Sequence, residues 1–312
     1  MLVPYSLLLG FRPISSVFGD MLNYSRYFRT IGFGNISLFG NSDVAFTEYI
    51  RFFSGKVSVK TWFYMTALLT MLTQLIAVRR LFQAHTFLYF LSVLTSLNFF
   101  ASVTNGIRSG LALGIFLLAL SFRKQKIIKL AFFVLAVGCH KSILLLVVTF
   151  FVVSFYSNTV VLIRIWLVSI FVVYFLGSAI SEAVAVLNLD STRLDNYLLV
   201  EANKTKFSVT GFRYDFLIYG SLPIILFKHV AGKTKEINAK YRFLINLYIV
   251  SNTFWVLLMY ANYSNRFAAL SWSLIPILII YPFISMVVFK KSRHKAFLII
   301  FIQLISSYLL QF

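Results

Sequence analysis

Apolar residues run along this chain in long stretches separated by short polar turns. Runs of helix-spanning length cover 62–78, 86–103, 107–122, 127–155, 160–181, 212–227, 243–260, 267–288 and 296–310. A span of the hydrocarbon core takes about 20 predominantly apolar residues. The pattern therefore predicts an all-α, polytopic integral membrane helical bundle. Two stretches break the rhythm, 12–60 and 182–210, and both are read as outer loops. No long polar segment is available for a separate soluble domain, so 1–312 is read as one transmembrane domain. The opening MLVPYSLLLGF has neither a basic leader nor a small-residue cleavage site. It reads as the outer half of a first helix whose start is truncated or misassigned.

Short basic turns set the orientation. VRRLFQAH, RKQKIIK, KHVAGKTKEINAKYR and KKSRHK carry about half of the 29 Lys and Arg residues, and cytoplasmic loops collect such charges. Residues 12–60 and 182–210 then lie outside, together with the turns VTNGIR and NYSNR. Parity requires the run 127–155 to leave the cytoplasm and return. At about 1.5 Å per residue, each arm falls short of a full core. The break falls at VGCHKS, where Gly138, His140, Lys141 and Ser142 interrupt the apolar pattern. The expectation is a short helical hairpin, or a re-entrant pair, at 127–155 with His140 at its outward tip; one long tilted helix is the alternative. Counted this way, the bundle has about 10–11 membrane segments.

Composition agrees. Hydrophobic residues make up 60% of the chain and charged residues 12%, with a mean hydropathy of +0.85, whereas a soluble domain carries about 25% charged residues. The formal charge is +20. In a soluble protein that excess suggests nucleic acid. Here the basic loops are short and juxtamembrane, so topology and anionic membrane lipids explain them, and no nucleic-acid partner is expected. The single cysteine, Cys139, excludes an internal disulfide, and no Cys/His pattern suggests a metal site.

The candidate chemistry lies at the outer ends. Arg12, Arg108, Arg193, Arg213 and Arg266 each stand among apolar or small neighbours, and His140 is followed by Lys141. Snorkelling or salt bridges to outer acids (Asp20, Asp43, Glu48, Glu182, Asp190, Asp195, Glu201, Asp215) account for any one of them. For the whole set that account weakens, because outer helix ends disfavour basic residues. Asp215 stands two residues from Arg213, an offset that separates side chains on a helix. Gly106, Gly110 and Gly114 form a small-residue stripe suited to close helix packing. Arg108 lies about 160–200° around the helix from the first two, aimed into a cavity. Arginines beside a histidine suit phosphate, which guanidinium groups grip by bidentate, charge-assisted hydrogen bonds. A cavity opening outward from a membrane points to a lipid-linked phosphate or diphosphate.

GFRPISSVFGDMLNYSRYF resembles the R…vGxD…Y…F opening of the EpsG-like branch of Wzy-type polysaccharide polymerases. NGIRSGLALGIFLLALSFRKQKIIKLAFFVLAVGCHKSILLL is similar to that family's central arginine, small-residue helix, basic turn and histidine. GFRYDFLIY and NRFAALSWSLIPIL fit its later helices. The resemblance implies a glycosyltransferase of the bacterial inner membrane that builds O-antigen, capsule or exopolysaccharide. Undecaprenyl-diphosphate-linked oligosaccharides would be both donor and acceptor at the periplasmic face. No cofactor or metal is implied, and a chain-length regulator and a flippase are the implied protein partners. Arg108, Arg193, Arg213, Arg266 and Arg12 become the diphosphate ligands; His140 and Asp20 become the candidates for the base that helps the acceptor hydroxyl. A lipid-linked oligosaccharide flippase or transporter, and an O-antigen ligase, are the rival readings. Ser109 with His140 superficially offers a serine-protease pair, but Ile107 and Arg108 depart from that motif.

Overall fold

A computed structural model of the chain describes residues 2–31, 43–186, 211–234, 236–261, 264–286 and 288–309. Every regular element among them is helical, as the apolar periodicity predicts. Three helical stretches, Val59–Leu94, Thr159–Ile180 and Ser264–Ile284, are long and apolar enough to cross a membrane, and Ile107–Ser121 and Ile143–Phe155 are shorter apolar helices. The chain divides into two compact units, Met1–Val147 with His294–Phe312, and Val148–Arg293.

In the first unit, α1 (Leu2–Gly10), α2 (Met21–Thr30) and α3 (Val44–Phe53) precede α4 (Val59–Phe82). The stretch read as an outer loop thus contains two helices. Their faces explain them: α2 buries Met21, Tyr24, Ser25 and Phe28, and α3 buries Phe46 and Ile50, both at the three- and four-residue spacing of a one-sided helix. Those faces meet in an aromatic cluster on Trp62, whose ring lies 5.1 Å from Phe28 and 6.2 Å from Phe46 and Tyr49. Tyr49 shares a 3.0 Å hydrogen bond with Thr66, and the Ser54 hydroxyl donates to the Phe28 carbonyl at 2.6 Å. Ser58 starts α4 by accepting the Thr61 N–H at 3.1 Å, an N-cap.

The expected span 86–103 is interrupted. It forms α5 (Thr86–Leu94) and α6 (Leu97–Thr104), with Ser96 capping the second by accepting Phe99 N–H. Then comes α7 (Ile107–Ser121), buried on nearly every residue and hence enclosed by protein on all sides. Gly110 and Gly114 allow this. A Cβ on Gly110 would sit 2.5 Å from the Ser102 carbonyl oxygen of α6, and one on Gly114 would strike Thr73 of α4. Gly106 does otherwise: it precedes the helix, and its nearest obstacle is Ser109 of its own first turn. The run 127–155 breaks where expected, into α8 (Lys126–Cys139) and α9 (Ile143–Phe155) around His140, Lys141 and Ser142. The last helix, Ser292–Leu309, places Gln303 against Ser92 at 3.0 Å and donates the Ser307 hydroxyl to Thr95 O at 2.8 Å.

In the second unit, helix Ala239–Leu257 carries Asn246, Tyr248 and Asn252 with no exposed surface. Each bonds to a distant part of the unit. Asn246 donates to Ser157 O at 3.0 Å, Tyr248 to Gly220 O at 2.5 Å, and Asn252 accepts from Trp166 Nε1 at 2.8 Å while donating to Ser271 Oγ at 3.1 Å. Interhelical hydrogen bonds of this sort hold apolar helices together where burial alone gives no preference over lipid. The run 267–288 breaks into Ser264–Trp272 and Ile275–Ile284.

Candidate functional site

The N–G turn between α6 and α7 organises one end of the first unit. Arg12, past the end of α1, donates to Thr104 O at 2.6 Å and to Leu9 O. Its guanidinium lies 5.1 Å from the Phe18 ring and 5.6 Å from Phe63. The Asp20 N–H donates to Asn105 Oδ1 at 3.0 Å. Gly19 makes that approach possible, because its φ is +56° and a Cβ there would strike the Asn105 amide. Residues 104–108 thus receive two separate segments of the N-terminal region.

Arg108, in the first turn of α7, donates through Nη1 to Asp43 Oδ2. Asp43 stands just before α3, which packs on α8 through small residues: a Cβ on Gly138 would meet Ala45 Cβ at 3.1 Å. That close packing brings the carboxylate to the helix break, where Oδ1 accepts the Lys141 N–H at 2.9 Å and His140 Nδ1 stands 3.9 Å from Oδ2. Side-chain exposure is 3% for Asp43, 11% for Arg108 and 18% for His140. Burial pushes the Asp43 carboxyl up, but His140, Arg108 and the Lys141 N–H outweigh it and hold the group below the usual carboxylate range.

The structure therefore brings two of the sequence candidates together on an acid that sequence reasoning did not single out. Asp43 was only one of several outer acids; its sole local signal is a position in front of an amphipathic helix. Arg108 is aimed at Asp43, which answers for its burial. Arg12 is different. It is 7% exposed, and among the described residues no acid pairs with it. Burial pulls its pKa down to about 10, still well above neutrality.

Other candidates lie elsewhere. Arg213 and Arg266 belong to the second unit. Arg213 pairs with Asp215 through Nε at 2.9 Å and Nη2 at 2.5 Å and lies 3.6 Å from the Phe216 ring centre. The two-residue offset does not separate them, because Arg213 is the residue before the helix and its backbone is not helical, with φ −98° and ψ 85°. Arg266 is exposed in the first turn of Ser264–Trp272. Arg193 and the acids Asp190, Asp195 and Glu201 lie outside the described residues, and nothing is described of the side chain of Glu182. Ser109 donates to Gly106 O at 2.8 Å, within its own helix turn. Among the described residues no group of His, Cys, Asp and Glu could hold a metal ion.

The EpsG family model matches residues 1–312, the whole sequence. The chain belongs to the EpsG family. No curated protein and no solved structure matches it. Membership fits the apolar helices of an integral membrane protein and a general role of the membrane polysaccharide-polymerase kind. For an EpsG protein, the turn 104–108 with Arg12, Asp43, Arg108 and His140 is the candidate site, because it gathers cationic, acidic and imidazole groups on one buried corner.

Proposed function

We propose that this EpsG protein is a glycosyltransferase that joins undecaprenyl-diphosphate-linked repeat units at the periplasmic face of the bacterial inner membrane. The product is O-antigen, capsule or exopolysaccharide. The observation that carries this reading is the convergence of Arg12, Arg108 and His140 on one end of the first unit. In α7, Arg108 stands about 22 Å along the axis from the basic turn that begins after Ser121. The orientation follows from the charge of that turn.

The chemistry is a displacement at the anomeric carbon. The acceptor hydroxyl oxygen forms the new bond, the bond to the diphosphate breaks, and the leaving diphosphate takes the electron pair. Guanidinium groups fixed in a buried site stabilise that developing charge without reorganising. Arg12 suits this role best, since an anionic oxygen would match a charge that no described acid meets. His140 suits the base, with Asp20 the alternative. Removing one such preorganised donor lowers turnover by about 100- to 1,000-fold.

The test is deletion of the gene in its host, followed by examination of surface glycan and lipid-linked intermediates. Single repeat units in place of long chains support polymerisation, and Arg12→Gln and His140→Ala, each present at normal level in the membrane, reproduce that phenotype. Free polymer of normal length would instead identify a ligase. Units retained in the cytoplasmic leaflet would identify a flippase.

A further inference from the structure

We propose that Asp43 is a positioning residue for His140: it faces Nδ1 of the imidazole and leaves Nε2 for the acceptor hydroxyl. The inference rests on the polymerase reading and adds to it a residue from the outer segment.

The geometry is specific. Asp43 is held from three directions, by the Lys141 N–H on Oδ1, by Arg108 on Oδ2, and by the packing of α3 on Gly138. A carboxylate so fixed is a poor base, because every contact it makes favours its ionised form. It is a good orienter. His140 Nδ1 is the ring nitrogen turned toward it, at 3.9 Å, a separation that contracts by about 1 Å to make a hydrogen bond when a site closes on substrate. His140 is also the most exposed of the three side chains, so its outer edge is the one available to a reactant. In the transfer, the acceptor O–H bond breaks, its proton passes to Nε2, its oxygen bonds to the anomeric carbon, and the diphosphate departs with the electron pair. The imidazolium then stands beside an anion and later returns its proton to solvent or product. Arg108 has a second use here, since it keeps the shared carboxylate ionised.

The groups facing Asp43 are Arg108 from α7, His140 and the Lys141 N–H from the helix break, and the Cys139 thiol from α8; Tyr49 of α3 senses that thiol in turn. Of these, only His140 ordinarily titrates near neutrality, so the acidic limb of the pH–rate profile reads it.

The experiment uses the full chain in native membranes of the deletion host, with the host's own lipid-linked repeat units as substrate. Asp43→Asn is expected to lower polymer formation about 100-fold, within the range of general-base effects, and to move the acidic limb to lower pH, because imidazolium loses its counter-charge. In a His140→Ala background, Asp43→Asn is expected to change polymer formation by less than about 2-fold, the coupling of residues acting as one unit. Additive losses, or an unshifted acidic limb, would overturn the proposal and leave Asp43 as a structural counter-ion of Arg108. Should Asp43→Asn fail to accumulate, nitrogen NMR of the otherwise native protein decides, with His85, His229 and His294 replaced by Gln. The neutral His140 is expected as the Nδ1–H tautomer, and the Nε2–H tautomer would overturn the proposal. If His140→Ala leaves polymer untouched, the polymerase reading of His140 has failed, and the tautomer still reports separately on Asp43.

Discussion

Gly110→Ala separates close helix packing from helix propensity by sign. In a helix interior with room for a methyl group, alanine stabilises by about 1 kcal/mol relative to glycine. At position 110 the methyl carbon would stand 2.5 Å from the Ser102 carbonyl oxygen and 2.9 Å from its carbon. Those are backbone atoms of α6, so no rotamer change clears them. The helices must separate by about 1 Å, and overpacking of this kind costs about 1–3 kcal/mol, occasionally more. Because the obstacle is backbone, we expect the upper part of that range, leaving a net loss of about 1–2 kcal/mol after the propensity gain. The displacement falls two residues from Arg108, so the ion pair to Asp43 weakens with it. The assay is thermal unfolding in lipid nanodiscs beside surface-glycan length. A fall of about 2–4 °C per kcal/mol is expected for a unit of this size, with shortened polymer. Unchanged or raised stability would refute the α6–α7 contact.

Three further outcomes follow from the same corner. Gly19→Ala forces a positive φ on a side chain and drives it into Asn105, so it should destabilise by about 1–3 kcal/mol and shorten polymer, whereas Gly55→Ala, with φ +76° and open space, should carry only the backbone cost; the unfolding curves compare the two. Asp43→Ala leaves Arg108 buried without its counter-ion and should cost about 3–5 kcal/mol, while replacing both partners with apolar residues should cost less, because breaking a buried pair is worse than removing it. Asp43 is held below its unfolded value of about 3.9, so its stabilisation is fully present above about pH 4 and lost as pH falls through the folded value. The stability gap between the native chain and Asp43→Asn should therefore close in buffer acid enough to protonate that carboxyl.

The apolar runs and the glycine-containing breaks at 105–106 and 138–142 were legible because they lie within a few residues of what they determine, whereas the breaks at 95–96 and 273–274 fall inside runs read as continuous. Asp43 was not legible, because its partners lie far along the chain: Arg108 is 65 positions away and Lys141 is 98. Nothing in the spacing around 43 foretells that Gly138 will admit α3 against α8. Arg108 was read as aimed into a cavity toward a diphosphate; in the structure it pairs with Asp43, which comes from a stretch too polar to have been read as structure. The glycine stripe was two-thirds readable: positions 110 and 114 pack against neighbours, and position 106 serves the turn instead.

Pairing also changes what the net charge means. A formal +20 suggests cations ready for a diphosphate, yet Arg108 is matched by Asp43 and Arg213 by Asp215. Arg12 is held by two carbonyls and two rings, contacts that fix its position while leaving its charge unmatched among the described residues. A phosphate oxygen gains most from such a group, since nothing anionic must first be displaced. On that electrostatic argument the proposed chemistry assigns the diphosphate to Arg12 and leaves the Arg108–Asp43 pair to position His140.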